Sequence, residues 1–208
     1  MAASTRPYRG VSAEDRRAER RERLLEAGLD LLGTEGWPGT TVRAICARAG
    51  LTERYFYESF VDREALLVAV FDRITAEAMQ VILRAVQEAP RDARAKARAA
   101  IGAYVELMTD DPRKGRIAFV EAMGSEALMS RRLETLRTFA GVVAEQAEAF
   151  FGAAAPSRRE LELTAHALVG ALAELLIAWL DGSLGVSRER LVEHCTGLFV
   201  AAAGVRSG

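Results

Sequence analysis

The chain is poor in the residues that build reactive or cross-linked sites. Its 208 residues include two cysteines, two histidines, two lysines and five prolines. Cys46 and Cys195 cannot make a disulfide framework, so a reducing cytoplasm is the expected location. His194 stands next to Cys195, so on a helix their side chains point apart. No CxxC, HExxH or Glu-x-x-His pair occurs, which removes the usual spacings of zinc and carboxylate-bridged iron sites. The glycine-rich spots at 33–39 and 182–185 lack the Lys-Ser/Thr of a phosphate loop. The expectation is therefore no catalytic constellation, no metal and no cofactor.

Long apolar runs are also missing. The longest, Ala165 to Leu180, is interrupted by His166 and Glu174 and falls short of the roughly 18 residues a membrane span needs. The arginine-rich N-terminus is followed by no apolar segment of the secretory kind. Five prolines and 17 glycines exclude collagen-like and low-complexity sequence. What remains is half apolar and 27% charged, the proportions of a soluble globular protein.

Charge gives a subtler message. The formal net charge is −1, and residues 1–60 hold ten arginines against nine acids. A nucleic-acid binder is more often plainly basic, so any such binding must come from a few placed arginines. Residues 1–23 are the exception, with seven arginines and four acids, a local net of +3. Arg6, Arg9, Arg16, Arg17, Arg20, Arg21 and Arg23 are either a solvated helix face or an arm reaching phosphates or a minor groove.

Periodicity is helical throughout. Ser12 with Asp15 forms a capping box, and Leu24, Leu25, Gly28, Leu31 and Leu32 mark the buried face of a first helix over about 13–33. Gly33, Gly36, Pro38 and Gly39 break it, and Thr40 or Thr41 caps a short second helix with Val42, Ile45, Cys46 and Ala49 inward. Gly50 stops that helix, and Thr52 caps a third running to about Ser59. Asp62 and Glu64 open a fourth, reaching about Glu88 before Pro90. Further helices are expected over 91–109 and from Pro112 to about Met123. Residues 125–151 hold one or two, and two more run from Ser157 to about Leu180 and from Ser187 to about Ala203. The fold class is all-α, with about nine helices. The domain reading is an N-terminal arm at 1–12, a head at 13–62 and a larger helical domain at 63–208.

Two short helices around Gly50 have the arrangement of a helix-turn-helix, with the glycine permitting a left-handed backbone at the turn. The third helix would enter a major groove about 12 Å wide. Its inward side is Leu51, Phe56 and Phe60, and its outward side shows Thr52, Glu53, Arg54, Tyr55 and Tyr57.

The ungapped run from Thr40 to Leu67, TTVRAICARAGLTERYFYESFVDREALL, together with the first helix and Gly36-Trp37, resembles the TetR family of bacterial transcriptional repressors. Residues 113–133 are also similar to the helix-six and helix-seven region of actinobacterial members. The resemblance implies DNA-contacting roles: Thr40 or Thr41 and Arg43 on phosphates, and Thr52 on phosphate or as a cap. It places Glu53, Arg54 and Tyr55 at bases, Tyr57 on phosphate, and Arg63 where a lysine is usual. Glu58 and Ser59 depart from the family pattern, and Glu58 would repel DNA unless it pairs with an arginine or accepts from a cytosine amine.

The resemblance further implies a homodimer through helices eight and nine, a double-stranded operator and a small-molecule effector. Helix eight is apolar nearly all round, so it needs cover on more than one side. Candidate effector contacts are Tyr104, Met108, Phe119, Met123, Phe139, His166 and Trp179, each of which has plain core packing as its competing role. Glu174, an acid in an apolar run, faces a ligand, an arginine or the dimer seam. The expected function is a repressor released by its ligand. The alternative is a helical dimer that binds a small molecule or a protein without DNA.

Overall fold

In the computed structural model, residues 12–204 are described. Arg6, Arg9 and the rest of the N-terminal arm up to residue 11 lie outside them. Nine α-helices and no strand occur among the described residues. They are α1 (Ala13–Gly39), α2 (Val42–Ala49), α3 (Glu53–Tyr57), α4 (Arg63–Glu88), α5 (Ala93–Asp110), α6 (Pro112–Phe119), α7 (Glu126–Phe151), α8 (Arg158–Leu180) and α9 (Arg188–Gly204). The chain divides between Phe71 and Asp72 into two compact units.

Local chemistry accounts for most helix starts. Ser12 and Asp15 close the capping box expected for α1, and Ser157 and Glu160 do the same for α8. Thr41, Asp92, Asp111 and Ser125 each accept a hydrogen bond from a first-turn amide of α2, α5, α6 and α7. Asp62 Oδ1 accepts from the Ala65 amide at 2.7 Å and Ser187 Oγ from the Arg190 amide at 3.2 Å, capping α4 and α9. Beside Asp111, the Arg113 guanidinium donates to its carboxylate and holds that acid below its ordinary range.

Three boundaries differ from the sequence reading. Helical backbone in α1 persists past residue 33 and is broken at Gly36, whose φ is 76°. Helical geometry in α3 ends at Tyr57 rather than Ser59. After α6 stops at Phe119, Glu121–Met123 form a separate 3-10 turn. There the buried Glu121 accepts from Arg116 Nε at 2.9 Å, an attachment the helical periodicity did not reveal. Residues 126–151 form one helix, the first of the two alternatives the sequence leaves open.

The first unit is built around Leu24, Leu32, Ile45, Phe56, Leu66 and Leu67, all essentially inaccessible. A Cβ on Gly28 would stand 2.4 Å from Leu66 Cδ2 and 3.2 Å from Val70, so the glycine lets α1 approach the start of α4. In the second unit α7 packs along α8, and α5 along α9. Small residues permit this: Ala140, Ala144 and Ala165 sit with Leu161 in the α7–α8 seam. By length and composition α8 could cross a membrane, although the apolar run read from sequence is shorter than a span needs. Only 22% of its most apolar window is buried within the chain, so a large apolar surface of α8 needs cover from elsewhere.

Gly50 caps α2 in the left-handed region at φ 62°, and a Cβ there would meet Arg23 Nη2 at 3.0 Å. Gly102 lies inside α5 with open space around its would-be Cβ. Gly50→Ala should lower stability by about 1–2 kcal/mol, whereas Gly102→Ala should raise it by about 0.5–1 kcal/mol. Chemical denaturation of the full chain checks both signs.

Candidate functional site

The turn between α2 and α3 is held from α1. Arg23 donates to the carbonyls of Ala49 and Gly50, satisfying the C-terminal end of α2 where its dipole is negative. The Leu51 amide then donates to Cys46 O at 2.9 Å, and the chain leaves in extended form at Thr52 to start α3. Phe56 and Phe60 point into the core, with ring centroids 5.8 Å apart. That anchoring turns Glu53, Arg54 and Tyr57 outward.

Glu58 is the hub of an arginine cluster. Its carboxylate lies 3.6 Å from Arg20 Nη2 and 3.3 Å from Arg54 Nε, and its carbonyl accepts from Arg17. The departure from the family pattern is therefore resolved by pairing: the negative charge is shared between two guanidiniums. Arg20 also stacks 4.5 Å from the centroid of the Tyr55 ring, and Arg21 stacks 4.8 Å from that of Phe60. Arg17, Arg20, Arg21 and Arg23 thus brace the helix-turn-helix, a role the sequence reading missed. The signal was present, since these arginines precede Leu24 at helical spacings that share one face.

The proposed DNA residues fall into two groups. Thr40 is fully buried, and its hydroxyl donates to Gly36 O at 2.7 Å, closing the kink at the end of α1. Thr41 is exposed and its hydroxyl accepts from the Ala44 amide as the α2 cap. Arg63 is half-buried: its guanidinium stacks 4.2 Å from the Trp37 ring centroid and donates to the carbonyls of Trp37 and Thr40. By contrast, Arg43 is exposed with no partner among the described residues. Thr52 caps α3 by position but makes no side-chain cap bond. Glu53 is exposed, the Arg54 side chain is 86% exposed, and Tyr57 is 57% exposed.

The seven expected effector contacts do not converge. Tyr104 and Phe139 do meet, with ring centroids 5.9 Å apart, and burial pushes the Tyr104 phenol up to about 12 although Arg132 pulls the other way. Met108 and Phe119 are buried in the core. Met123 is exposed, as is His166, whose Nδ1 donates to Glu162 O at 2.7 Å. The Trp179 indole donates to Val186 O at 2.9 Å. A cavity of about 780 Å³ lies elsewhere in the second unit, among α4, α5, α7, α8 and α9, and none of the seven lines it. Burial raises the thiols of both Cys46 and Cys195, which keeps them protonated and unreactive. No cluster of potential metal ligands occurs among the described residues.

Arg63→Lys tests whether that residue is chiefly a brace. The change keeps the charge but loses the planar stack and the forked donors. The head should lose about 0.5–1 kcal/mol, read as a lower unfolding midpoint. Unchanged stability would show that the Trp37 stack contributes nothing.

Comparison with known proteins bears on this arrangement. Residues 24–70 match the family model described as "Bacterial regulatory proteins, tetR family". No curated protein matches the chain. Among solved structures, a protein of Pseudomonas aeruginosa PAO1 assigned as a transcriptional regulator is 25% identical with a TM-score of 0.73, and 95% of each chain is covered. A TetR-like transcriptional regulator from Rhodococcus sp. RHA1 is 18% identical with a TM-score of 0.68, covering 91% of this chain and 97% of its own. The transcriptional regulator FadR from Bacillus subtilis, solved in complex with stearoyl-CoA, is 14% identical with a TM-score of 0.72, covering 88% and 97%. Residues 24–70 thus match the family model of the tetR regulatory proteins, and the chain as a whole shares the fold of these solved transcriptional regulators.

Proposed function

We propose that the chain is a homodimeric, ligand-responsive repressor that binds a palindromic operator. One observation carries the DNA reading: Arg43 and Thr52 are outward at the starts of α2 and α3, and Arg54 and Tyr57 are outward along α3, while the arginines behind them are committed to bracing. Arg43, the Thr52 hydroxyl and the Tyr57 phenol suit phosphate oxygens, which fix register. Arg54, with Glu53 and Tyr55 beside it, suits base edges in a major groove, and Glu58 steadies its guanidinium from one side. Thr41 and Arg63 add to the phosphate surface only through groups left over from capping and stacking. Thr40 contributes through the backbone it holds.

The dimer reading rests on α8 and α9. Leu163, Ala167, Gly170 and Glu174 are exposed along one stripe of α8, at i, i+4, i+7 and i+11. His194, Leu198 and Ala201 are exposed on α9, which packs against α8. A second copy covering both stripes makes a four-helix seam and presents two recognition helices with twofold symmetry. Glu174, exposed and without an ion-pair partner among the described residues, belongs to that seam. The effector acts from the second unit by binding more tightly to the head spacing that misfits the operator. That the Bacillus subtilis FadR was solved with stearoyl-CoA supports a small-molecule effector for this fold.

Mobility shift of the DNA upstream of its own gene, at two salt concentrations and with excess competitor, tests the function. A specific complex that weakens as salt rises is expected. Absence of any DNA complex from a folded dimer would favour the alternative, a helical dimer without DNA, which the near-neutral head also favours. Within the complex, Arg54→Ala should relax preference at one base pair per half-site by about 1–3 kcal/mol, while Tyr57→Phe should weaken all sequences alike. An unchanged sequence profile for Arg54→Ala would remove it as a base reader. Leu163→Glu should convert the dimer to a folded monomer by sedimentation, and a persisting dimer would place the seam elsewhere.

A further inference from the structure

We infer that the cavity of the second unit takes an amphiphile with an apolar chain and an anionic head, the head held by Arg91 and Lys96. This rests on the reading that the second unit binds a small molecule, and it specifies which kind. The cavity walls are aliphatic and aromatic, including Leu83, Val86, Phe151, Leu168 and Phe199. Its volume of about 780 Å³ falls in the range, about 300–1,000 Å³, of pockets that enclose ligands of this size.

Charge is distributed unevenly around it. Arg91 and Lys96 are the ionisable residues of the lining, and no carboxylate belongs to it among the described residues. In a chain with 29 acids against 28 bases, two cations without an acid define a sign. Both come from the segment where α4 gives way to α5: Arg91 precedes the α5 cap and Lys96 lies in its first turns. Of the acids nearby, Glu88 is exposed at the end of α4 and is not part of the lining, and two others are engaged. Asp92 turns its carboxylate to the Ala95 amide, and Glu193 is held by Arg94 and Arg98.

The two cations are differently prepared. The half-buried Lys96 donates one ammonium hydrogen to Val86 O at 2.8 Å, which pins the group and leaves two hydrogens for a ligand. Arg91 is exposed and has no partner among the described residues, so its forked donors are available at the rim. Gln146 and Thr164 are the neutral polar residues of the lining, and neither replaces a charge. A cationic or neutral head would leave one guanidinium and one ammonium group without a counter-charge, so the site discriminates by sign and then by chain length.

A carboxylate and a phosphate-bearing thioester share this chemistry. Calorimetry on the full chain, below micelle concentrations, would compare palmitate and palmitoyl-CoA with hexadecanol and cetyltrimethylammonium. One anionic ligand should bind per chain, and affinity in the saturated carboxylate series should rise about four-fold per added methylene until the cavity is full. The cationic analogue should bind at least about ten-fold more weakly, and Arg91→Gln should weaken the anion by about ten-fold without altering the unfolding midpoint. Palmitate alone binding would assign a free acid, and palmitoyl-CoA alone a carrier ester. Equal binding of the anionic and cationic probes, or full affinity in Arg91→Gln, would overturn the proposal. Anion binding that leaves an operator complex intact would retain the site and remove its regulatory role.

Discussion

The DNA-facing chemistry of this protein depends on one left-handed residue and the cation that covers it. Gly50 turns the chain between α2 and α3, and Arg23 of α1 binds the carbonyls that the turn leaves exposed. The angle between the two short helices is thereby set by backbone geometry and by a donor from outside the motif. A five-residue α3 could not hold its own direction, since helices so short are marginal in isolation. Its orientation is borrowed from Phe56 and Phe60 beneath it and from the arginines of α1 beside it.

Those arginines also explain how a head with almost no net charge can face a polyanion. Arg17, Arg20 and Arg23 are used on carbonyls and on Glu58, so they are partly withdrawn from the phosphate surface. Glu58, in turn, is not a stray negative charge, because Arg20 and Arg54 flank it. The cost to long-range attraction is real, and it shifts the burden of recognition onto a few short-range donors. An Arg54 side chain tethered at Nε to Glu58 keeps its terminal nitrogens outward, so it has less freedom to lose than an untethered arginine would when it makes a contact.

Much of this is legible in the sequence. The caps at Ser12, Thr41, Asp62, Asp111 and Ser157 are short-range signals with a local physical cause, and they appear where their sequence places them. Glycine at the turn and the inward Phe56 and Phe60 are equally local. The roles of Thr40 and Arg63 were not legible, because Thr40 depends on a kink that swings the Gly36 carbonyl into reach and Arg63 on a long-range neighbour, the face of Trp37. Both look like phosphate donors in a linear motif, yet both are occupied in holding the frame.

The cavity was illegible for a related reason. Large soft residues were chosen from the sequence because such residues line pockets, but large side chains also fill space, as Met108 and Phe119 do. The opening forms instead where small residues stand back: Ala93, Ala97, Ala100, Ala147 and Ala165 leave the volume that the bulkier walls enclose. A run of alanines reads as helix propensity from sequence and as an absence in three dimensions, and only packing decides between them. The same ambiguity governs α8, whose apolar circumference satisfies the length and composition of a membrane span. Its exposed stripe contains Gly170 and Ala167, residues that let another helix come close, beside Glu174, which apolar lipid would expel. A protein face that can approach a glycine and solvate a carboxylate satisfies that combination better than hydrocarbon does.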